Sequence, residues 1–527
     1  MNWDTPYSTK RSPVFADNMV ATSQPLATEA GIDALRRGGN AVDAALAAAI
    51  TLTVVEPCNN GIGSDAFAII WDNGELHGLN ASGKSPQNWT AESYKSRYQE
   101  MPSLGWDAVT VPGAVSAWMS MSEKLGKLPF KELFNAGIHY AENGFQVGPK
   151  TGFYWKLAQR RFQKFNSFIE TFMLGDRAPE IGEKICLADH GSTLRSIAAT
   201  QGESFYRGEL ADEMVKDSAS HGGVLTHTDL ANHQSDWVGT ISQNLGGVAL
   251  HEIPPNGQGL MALIALGVLK HLEPKRFPLN HADAIHLQVE SMRIAWAEVE
   301  RNLADIRYMT DVSVEDLLDE DYLKSRADQI DLASANPSPT TLGTSPDTVY
   351  LTAADANGQM VSMIQSNYRG FGSGIVVPGT GISLQNRGNG FTLEDGHPNQ
   401  VAGGKKPFQT IIPGFVMRNG APSLSFGVMG GHMQAQGHLQ MLIRIYVWNE
   451  NPQAASDAPR WHLSVDGKLH LENGTSSELI ADLRNRGHDI VEDSHESLFG
   501  GAQLIYKMPQ GYCGGSDHRK EGLVSGF

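Results

Sequence analysis

Residues 333–346, ASANPSPTTLGTSP, divide the chain into two textures, and any fold the chain adopts has to accommodate that break. Pro, Ser, Thr and Gly punctuate this stretch as a loop. Directly after it, DTVYLTAAD has the alternation of a strand, with Thr348, Tyr350 and Thr352 on one face and Val349 and Leu351 on the other. A threonine that heads a strand beside a segment open to cleavage has a special chemical option. As a new N-terminus it carries its own nucleophile, the hydroxyl, and its own base, the α-amine. Threonine is also an ordinary β-former, and the local sequence leaves both readings open.

Upstream of the break helical patterns dominate. Residues 19–57 predict a packed helical hairpin: Thr28 caps a helix through Arg37, Gly38-Gly39 ends it, and Asn40 caps the Ala-rich AVDAALAAAITL. FAIIW (67–71) predicts a short buried strand, and Asn73-Gly74 a hairpin turn. Pro112-Gly113 marks a turn into helix, and 151–240 an outer helical region. Over 282–304, Ile285, Val289, Met292, Trp296, Val299 and Leu303 recur at helical spacing and form a core-facing stripe. Downstream, DTVYLTAAD and QMVSMIQSNY flank Asn357-Gly358 as a hairpin, and further short strands follow in GFGSGIVV, GISLQNRG, FQTIIPGFVM and LSFGVMGG. A helix over QAQGHLQMLIRIYVW comes next. Central strands with long helices before and after predict a layered sandwich in which neither half is self-contained.

The net charge of −17, without a basic block, argues against nucleic acid or an anionic membrane surface as partner, though not against a small anion. Three scattered cysteines, Cys58, Cys186 and Cys513, support neither a disulfide framework nor a zinc site. No apolar h-region opens the chain and no membrane-length apolar run occurs, so a reducing cytoplasm is the expected home.

Three motifs compete for the chemistry. Gly78–Ser85 satisfies the phosphate-binding-loop pattern and offers Lys84 to an anion, but Pro86 disfavours a helix starting at Ser85. His432 and His438 do not share a helix face well, and no HExxH occurs, so metal is not expected. A serine-hydrolase elbow at Ser373 fails because Phe371 stands where glycine is needed. Gly430-Gly431, after the strand SLSFGVM, suits either a tight turn or an oxyanion hole.

Several long strings resemble the γ-glutamyltranspeptidase family of N-terminal-nucleophile hydrolases. They are PLATEAGIDALRRGGNAVDAALAAAITLTVVEPCNNGIG, VPGAVSAW, IPPNGQG, the 282–304 helix and DTVYLTAADANGQMVSMIQSNYRGFGSG. The resemblance implies an α+β fold, the four-layer αββα sandwich of that class. It implies self-cleavage between Asp347 and Thr348 into a large subunit, 1–347, and a small one, 348–527, which together form one fold. The partners it implies are a small amide substrate and the chain's own other half in a heterodimer, with a dimer of these as a further assembly; no metal or organic cofactor is implied. By position, Ser366 stands for the hydroxyl partner of the nucleophile, and Gly430 and Gly431 for the oxyanion hole.

The sequence departs from the family where the γ-glutamyl group is gripped. Gly390 replaces the acidic residue beside Phe391, Gln409-Thr410 replaces a serine pair, Tyr368 replaces an asparagine, and the segment from Phe391 to Lys405 is too short for the lid loop. A new cation, Arg387, appears beside Asn386. The substrate-binding candidates are therefore Arg387, Tyr368, Asn386, Gln409, Thr410 and Lys84. A guanidinium without an acidic partner for an ammonium suits a small amide bearing a carboxylate. The pattern is similar to the branch that includes oxamate amidohydrolase of purine breakdown and class IV cephalosporin acylases. The expected activity is hydrolysis of oxamate to oxalate and ammonia. The alternatives are a glutathione hydrolase or γ-glutamyltransferase, a cephalosporin (glutaryl) acylase and, more remotely, a nucleotide-binding protein using Lys84.

Overall fold

The structure is a computed structural model that describes residues 11–336 and 348–527. Two seven-stranded sheets stack face to face. The first runs, in spatial order, Leu523–Gly526, Met19–Thr22, Val349–Ala354, Met360–Ser366, Asp65–Asp72, Glu75–Asn80 and Asp236–Trp237. The second runs Val14–Ala16, Tyr512–Ser516, Gly501–Lys507, Ala421–Met429, Gly414–Arg418, Val248–Glu252 and Ile241–Leu245.

Strand alternation decides the layers. Val349, Leu351, Val361 and Met363 point outward into a core shared with the helices Pro25–Arg36 and Ala41–Val55. Tyr350 and Ile364 point inward and meet Phe415, Met429 and Ile505 of the second sheet. On the far side Leu424, Phe426 and Val428 pack under the helices Gly259–Lys270, Ala282–Asn302 and Met433–Tyr446. These packed layers make the αββα sandwich. Because both faces of each sheet are covered, the central strands are buried along almost their whole length. Polar bonds cross the apolar mid-layer: Thr352 Oγ1 lies 2.7 Å from Ser425 Oγ, and Ser425 Oγ donates to the Val361 carbonyl at 3.0 Å. They fix the register of one sheet over the other.

Local signals explain most boundaries. Asn40 caps Ala41–Val55 through a reciprocal box with Asp43. Asn73 and Gly74 both take positive φ (47° and 92°), as a tight hairpin requires. The amphipathic stripe forms one helix, Ala282–Asn302, and the outer region is helical, with Trp155, Phe162, Phe168 and Phe172 packed around Phe371.

Two expectations are corrected. Residues 19–22, expected within the helical hairpin, form the strand Met19–Thr22 of the first sheet. Thr28 does not cap the first helix. Gln24 does, its Oε1 accepting from the Leu26 and Ala27 amides, because Pro25 supplies a preset first turn. Thr28 lies inside that helix, its hydroxyl 2.9 Å from Thr22 Oγ1. The phosphate-binding pattern at Gly78–Ser85 does not build its loop, in line with the effect of Pro86. No helix starts at Ser85; its amide donates to the Lys405 carbonyl at 2.9 Å, and the next helix begins at Ala91. The nucleotide-binding reading of Lys84 therefore has no helix terminus to rest on. Asp347 and the loop residues from 337 onward lie outside the described residues.

Candidate active site

Thr348 stands at the head of the strand Val349–Ala354, and Ser366 at the end of its antiparallel partner. The pairing of Val349 with Gln365 brings these two residues side by side. The Thr348 hydroxyl donates to Ser366 Oγ at 3.2 Å, and Ser366 Oγ also accepts from the Tyr368 amide at 2.8 Å. A hydroxyl oxygen that already accepts a backbone bond is held in one position, where it orients the Thr348 proton. Both residues are buried, with Thr348 1% exposed.

Gly430 and Gly431 follow the strand Ala421–Met429 and precede the helix Met433–Tyr446. Their φ values, 118° and 60°, are ones that a side chain tolerates poorly. The turn is braced by Gln258, whose Nε2 donates to the Gly431 carbonyl at 2.8 Å and also to the Thr410 carbonyl. Gln434, three residues further on, donates from Nε2 to Thr348 Oγ1 at 3.3 Å. No sequence signal singled out Gln434 or Gln258; only pairing between distant segments brings them here.

A second polar cluster surrounds Arg387, which is fully buried. Its Nη1 donates to Thr410 Oγ1 at 2.9 Å, and its guanidinium lies 4.2 Å from the centre of the Tyr368 ring. Nε and Nη2 have no hydrogen-bond partner among the described residues. Burial pushes this guanidinium down to about 10, so it stays charged at neutral pH. Next to it is Asp65, a residue sequence reasoning missed, which pairs across the ladder with Ser366. Asp65 Oδ1 accepts from the Gly83 and Gly113 amides at 3.2 Å each, and Oδ2 accepts from Gln409 Nε2 at 2.7 Å. Burial raises Asp65 to about 7, opposed by the field of Arg387 and by its amide bonds.

The other candidates fall into place around these two clusters. Tyr368 has φ 75° and its ring covers Arg387. Asn386 serves the backbone, accepting from the Arg369 amide at 3.1 Å and donating to the Ser103 carbonyl at 2.8 Å. Lys84 is exposed and is brought into neither cluster. A cavity of about 880 Å³ opens beside them, lined among others by Tyr368, Gly390, Phe391, Phe408 and His432. His432 is held between Phe408 and Trp296, while His438 bonds Glu252 at 2.6 Å in the core, so the two histidines do different work.

Among the described residues one group could hold a metal ion: His286, Glu290 and His488, all buried. Its atoms already have partners. His286 bonds His488 at 2.8 Å and the Asp331 carbonyl at 2.9 Å, and Glu290 pairs with Arg293. These bonds fasten the segment 331–336 to the helix Ala282–Asn302. No helix of the described residues is long and apolar enough to cross a membrane.

Comparison with known proteins gives a consistent picture. A family model described as gamma-glutamyltranspeptidase matches residues 27–527. An oxamate amidohydrolase proenzyme of Klebsiella pneumoniae is 34% identical, the match covering 98% of this chain and 99% of the relative. A glutathione hydrolase-like YwrD proenzyme of Bacillus subtilis is 30% identical, covering 98% of this chain and all of the relative. The crystal structure of a cephalosporin acylase from Bacillus halodurans superposes with a TM-score of 0.95 at 44% identity, over all of this chain and 99% of that one.

Proposed function

This chain belongs to the gamma-glutamyltranspeptidase family, and from that premise we propose that it cuts itself between Asp347 and Thr348 and then hydrolyses a small carboxylate-bearing amide, oxamate to oxalate and ammonia. The chain is a self-processing N-terminal-nucleophile amidohydrolase of that family.

In maturation the Thr348 hydroxyl adds to the Asp347 carbonyl carbon, its proton directed toward Ser366 Oγ. The C–N bond breaks, the nitrogen takes a proton, and Asp347 becomes an ester on Thr348 Oγ. The nitrogen so released is the α-amine of Thr348, a group whose ordinary pKa is about 7.7–8 and which is a usable base near neutrality; water then hydrolyses the ester and frees the Asp347 carboxyl group. In turnover that amine takes the hydroxyl proton as Oγ attacks the substrate amide. The Gly430 and Gly431 amides face the developing oxyanion. The protonated amine then delivers its proton to the departing ammonia. Water, deprotonated by the same amine, releases the second product.

The observation that carries the substrate class is the Arg387 cluster, with two guanidinium nitrogens unpartnered among the described residues, near a serine-paired threonine. A carboxylate accepting from both would be held bidentately. Neutral Asp65 below about pH 7 leaves the site a net cation. Gly390 offers no acid for the substrate ammonium that a γ-glutamyl group carries, which disfavours the transpeptidase reading.

A second reading has its own observation. The 880 Å³ cavity is far larger than oxamate needs, and it suits a small acyl group joined to a bulky amine, as a cephalosporin acylase would require. Denaturing mass spectrometry followed by an ammonia assay tests both. Two chains, 1–347 and 348–527, with ammonia released from oxamate support the main reading. Cleaved protein that ignores oxamate but hydrolyses a glutaryl amide of an aminocephalosporin supports the second. Efficient transfer from a γ-glutamyl anilide to dipeptides would restore the transpeptidase. A single uncut chain that hydrolyses none of these overturns the proposal.

A further inference from the structure

We propose that Gln434 is a hydrogen-bond donor to the reacting oxygen, holding Thr348 Oγ1 and stabilising the charge on it whenever that oxygen is the leaving group. The inference rests on Thr348 being the nucleophile. Its observations are separate from those behind that assignment.

The Gln434 side chain is fully buried and its orientation is determined by both ends. Oε1 accepts from the Ile412 amide at 3.0 Å, so the carbonyl end cannot be exchanged with the NH₂ end without setting donor against donor. Nε2 is therefore the atom presented to Thr348 Oγ1, at 3.3 Å. The backbone of Gln434 is fixed as well, since its amide donates to the Gly431 carbonyl at 3.2 Å in the first turn of the helix. One residue thus ties the nucleophile to the glycine turn and to the segment that carries Thr410, the partner of Arg387.

The division of labour with Ser366 follows from chemistry. Ser366 Oγ accepts a hydrogen bond from the Thr348 hydroxyl and so aims its proton, while the α-amine takes that proton in turnover. A primary amide takes up no proton at neutral pH, so Gln434 only donates. A donor bonds an alkoxide more strongly than a hydroxyl, so the gain is greatest when the C–Oγ bond breaks. That happens when water has added to the ester carbon and given its proton to the α-amine. The tetrahedral adduct then expels Oγ with the bonding pair, Oγ takes the proton from the α-ammonium, and the acid is released. The same expulsion ends maturation, where no free α-amine existed before the acyl shift.

The test uses full-length Gln434→Met, which fills the space without donating, and the isosteric Gln434→Glu. Gln436→Met is the structural control, because the Gln436 side chain bonds the His432 and Leu463 backbone and not Thr348. Processing is followed by denaturing mass spectrometry, and turnover by single-turnover kinetics on the preferred amide. We expect Gln434→Met to slow ester hydrolysis about 10²-fold, the scale of one lost oxyanion donor, with the acyl ester accumulating on the 348–527 chain. Gln434→Glu should recover activity as pH falls and its carboxyl becomes a donor. Gln436→Met should lower Tm without ester accumulation. If Gln434→Met and Gln434→Glu process and deacylate at the wild-type rate while Thr348→Ala is inert, this inference fails and the nucleophile stands. If Thr348→Ala remains active, both fall. If Gln434→Met does not fold, the pH profile of Gln434→Glu decides: a wild-type profile overturns the proposal.

Discussion

Two arginines, Arg387 and Arg460, are both fully buried, and they differ in what surrounds them. Arg460 donates to the Phe499 and Ser456 carbonyls and to Asp517, which burial would raise but the fields of Arg460 and Arg519 hold far below the usual carboxylate range. Arg387 has one hydroxyl, one aromatic face and a carboxyl neighbour that burial keeps half-protonated near neutrality. A buried charge is costly unless it is paired. Arg460 therefore reads as a structural bolt between the last helices and the C-terminal strands. The Arg387 site retains binding capacity that the fold itself does not use.

Substitution at both positions would break this comparison most directly. Arg387→Ala should fold with a Tm near wild type yet lose at least about 100-fold in kcat/KM for an anionic amide, the scale of one desolvated ion pair. Arg460→Ala should lose about 3 kcal/mol of stability, the low end for breaking a buried ion pair, because Arg519 still faces Asp517, with little change in KM for the protein that folds. Equal losses of Tm in the two variants would erase the distinction. Ser366→Ala comes next: processing and turnover should each slow about 10²-fold, the low end of the range for a positioned proton partner, as measured by the rate at which the two chains appear.

Asp65 sharpens the comparison through pH. Its raised value means it is neutral below about 7 and anionic above. KM for an anionic substrate should therefore rise as pH passes upward through about 7, because an ionised Asp65 competes for Arg387. Asp65→Asn should flatten that rise, and an unchanged profile would remove Asp65 from the site. The smallest effect is expected from Lys84→Ala. Lys84 is exposed, and KM should stay within about twofold, as for other surface changes; a larger rise would bring Lys84 back into the binding site.

What the sequence reveals here is mostly local. The strand beginning at Thr348, the turn at Asn357-Gly358, the cap at Asn40 and the stripe from Ile285 to Val299 all follow from neighbours in the chain, and all appear in the structure. The Gln24 cap was hidden because a glutamine side chain is a less usual cap than the threonine four residues on. The C-terminal strands carry no such local mark: Tyr512–Ser516 and Leu523–Gly526 find partners at the opposite end of the chain, and Gly501–Lys507 pairs with Ala421–Met429 across intervening helices. The same applies to the site. Thr348 and the glycine pair carry local marks, whereas Ser366 is placed by the family resemblance alone. Asp65, Gln258 and Gln434 are ordinary polar residues until pairing across strands and loops gathers them.

The order of strands in the two sheets has a further consequence. In the first sheet Met19–Thr22 lies between Leu523–Gly526 and Val349–Ala354; in the second, Val14–Ala16 sits on an edge made by Tyr512–Ser516, and Gly414–Arg418 borders Val248–Glu252. A cut before Thr348 would therefore produce two interlaced polypeptides, each supplying strands to both sheets. The uncut chain can refold as a unimolecular reaction. The cut one, once denatured, would have to find its other half in solution, so its recovery would depend on concentration. Maturation would make folding a step that each molecule completes only once.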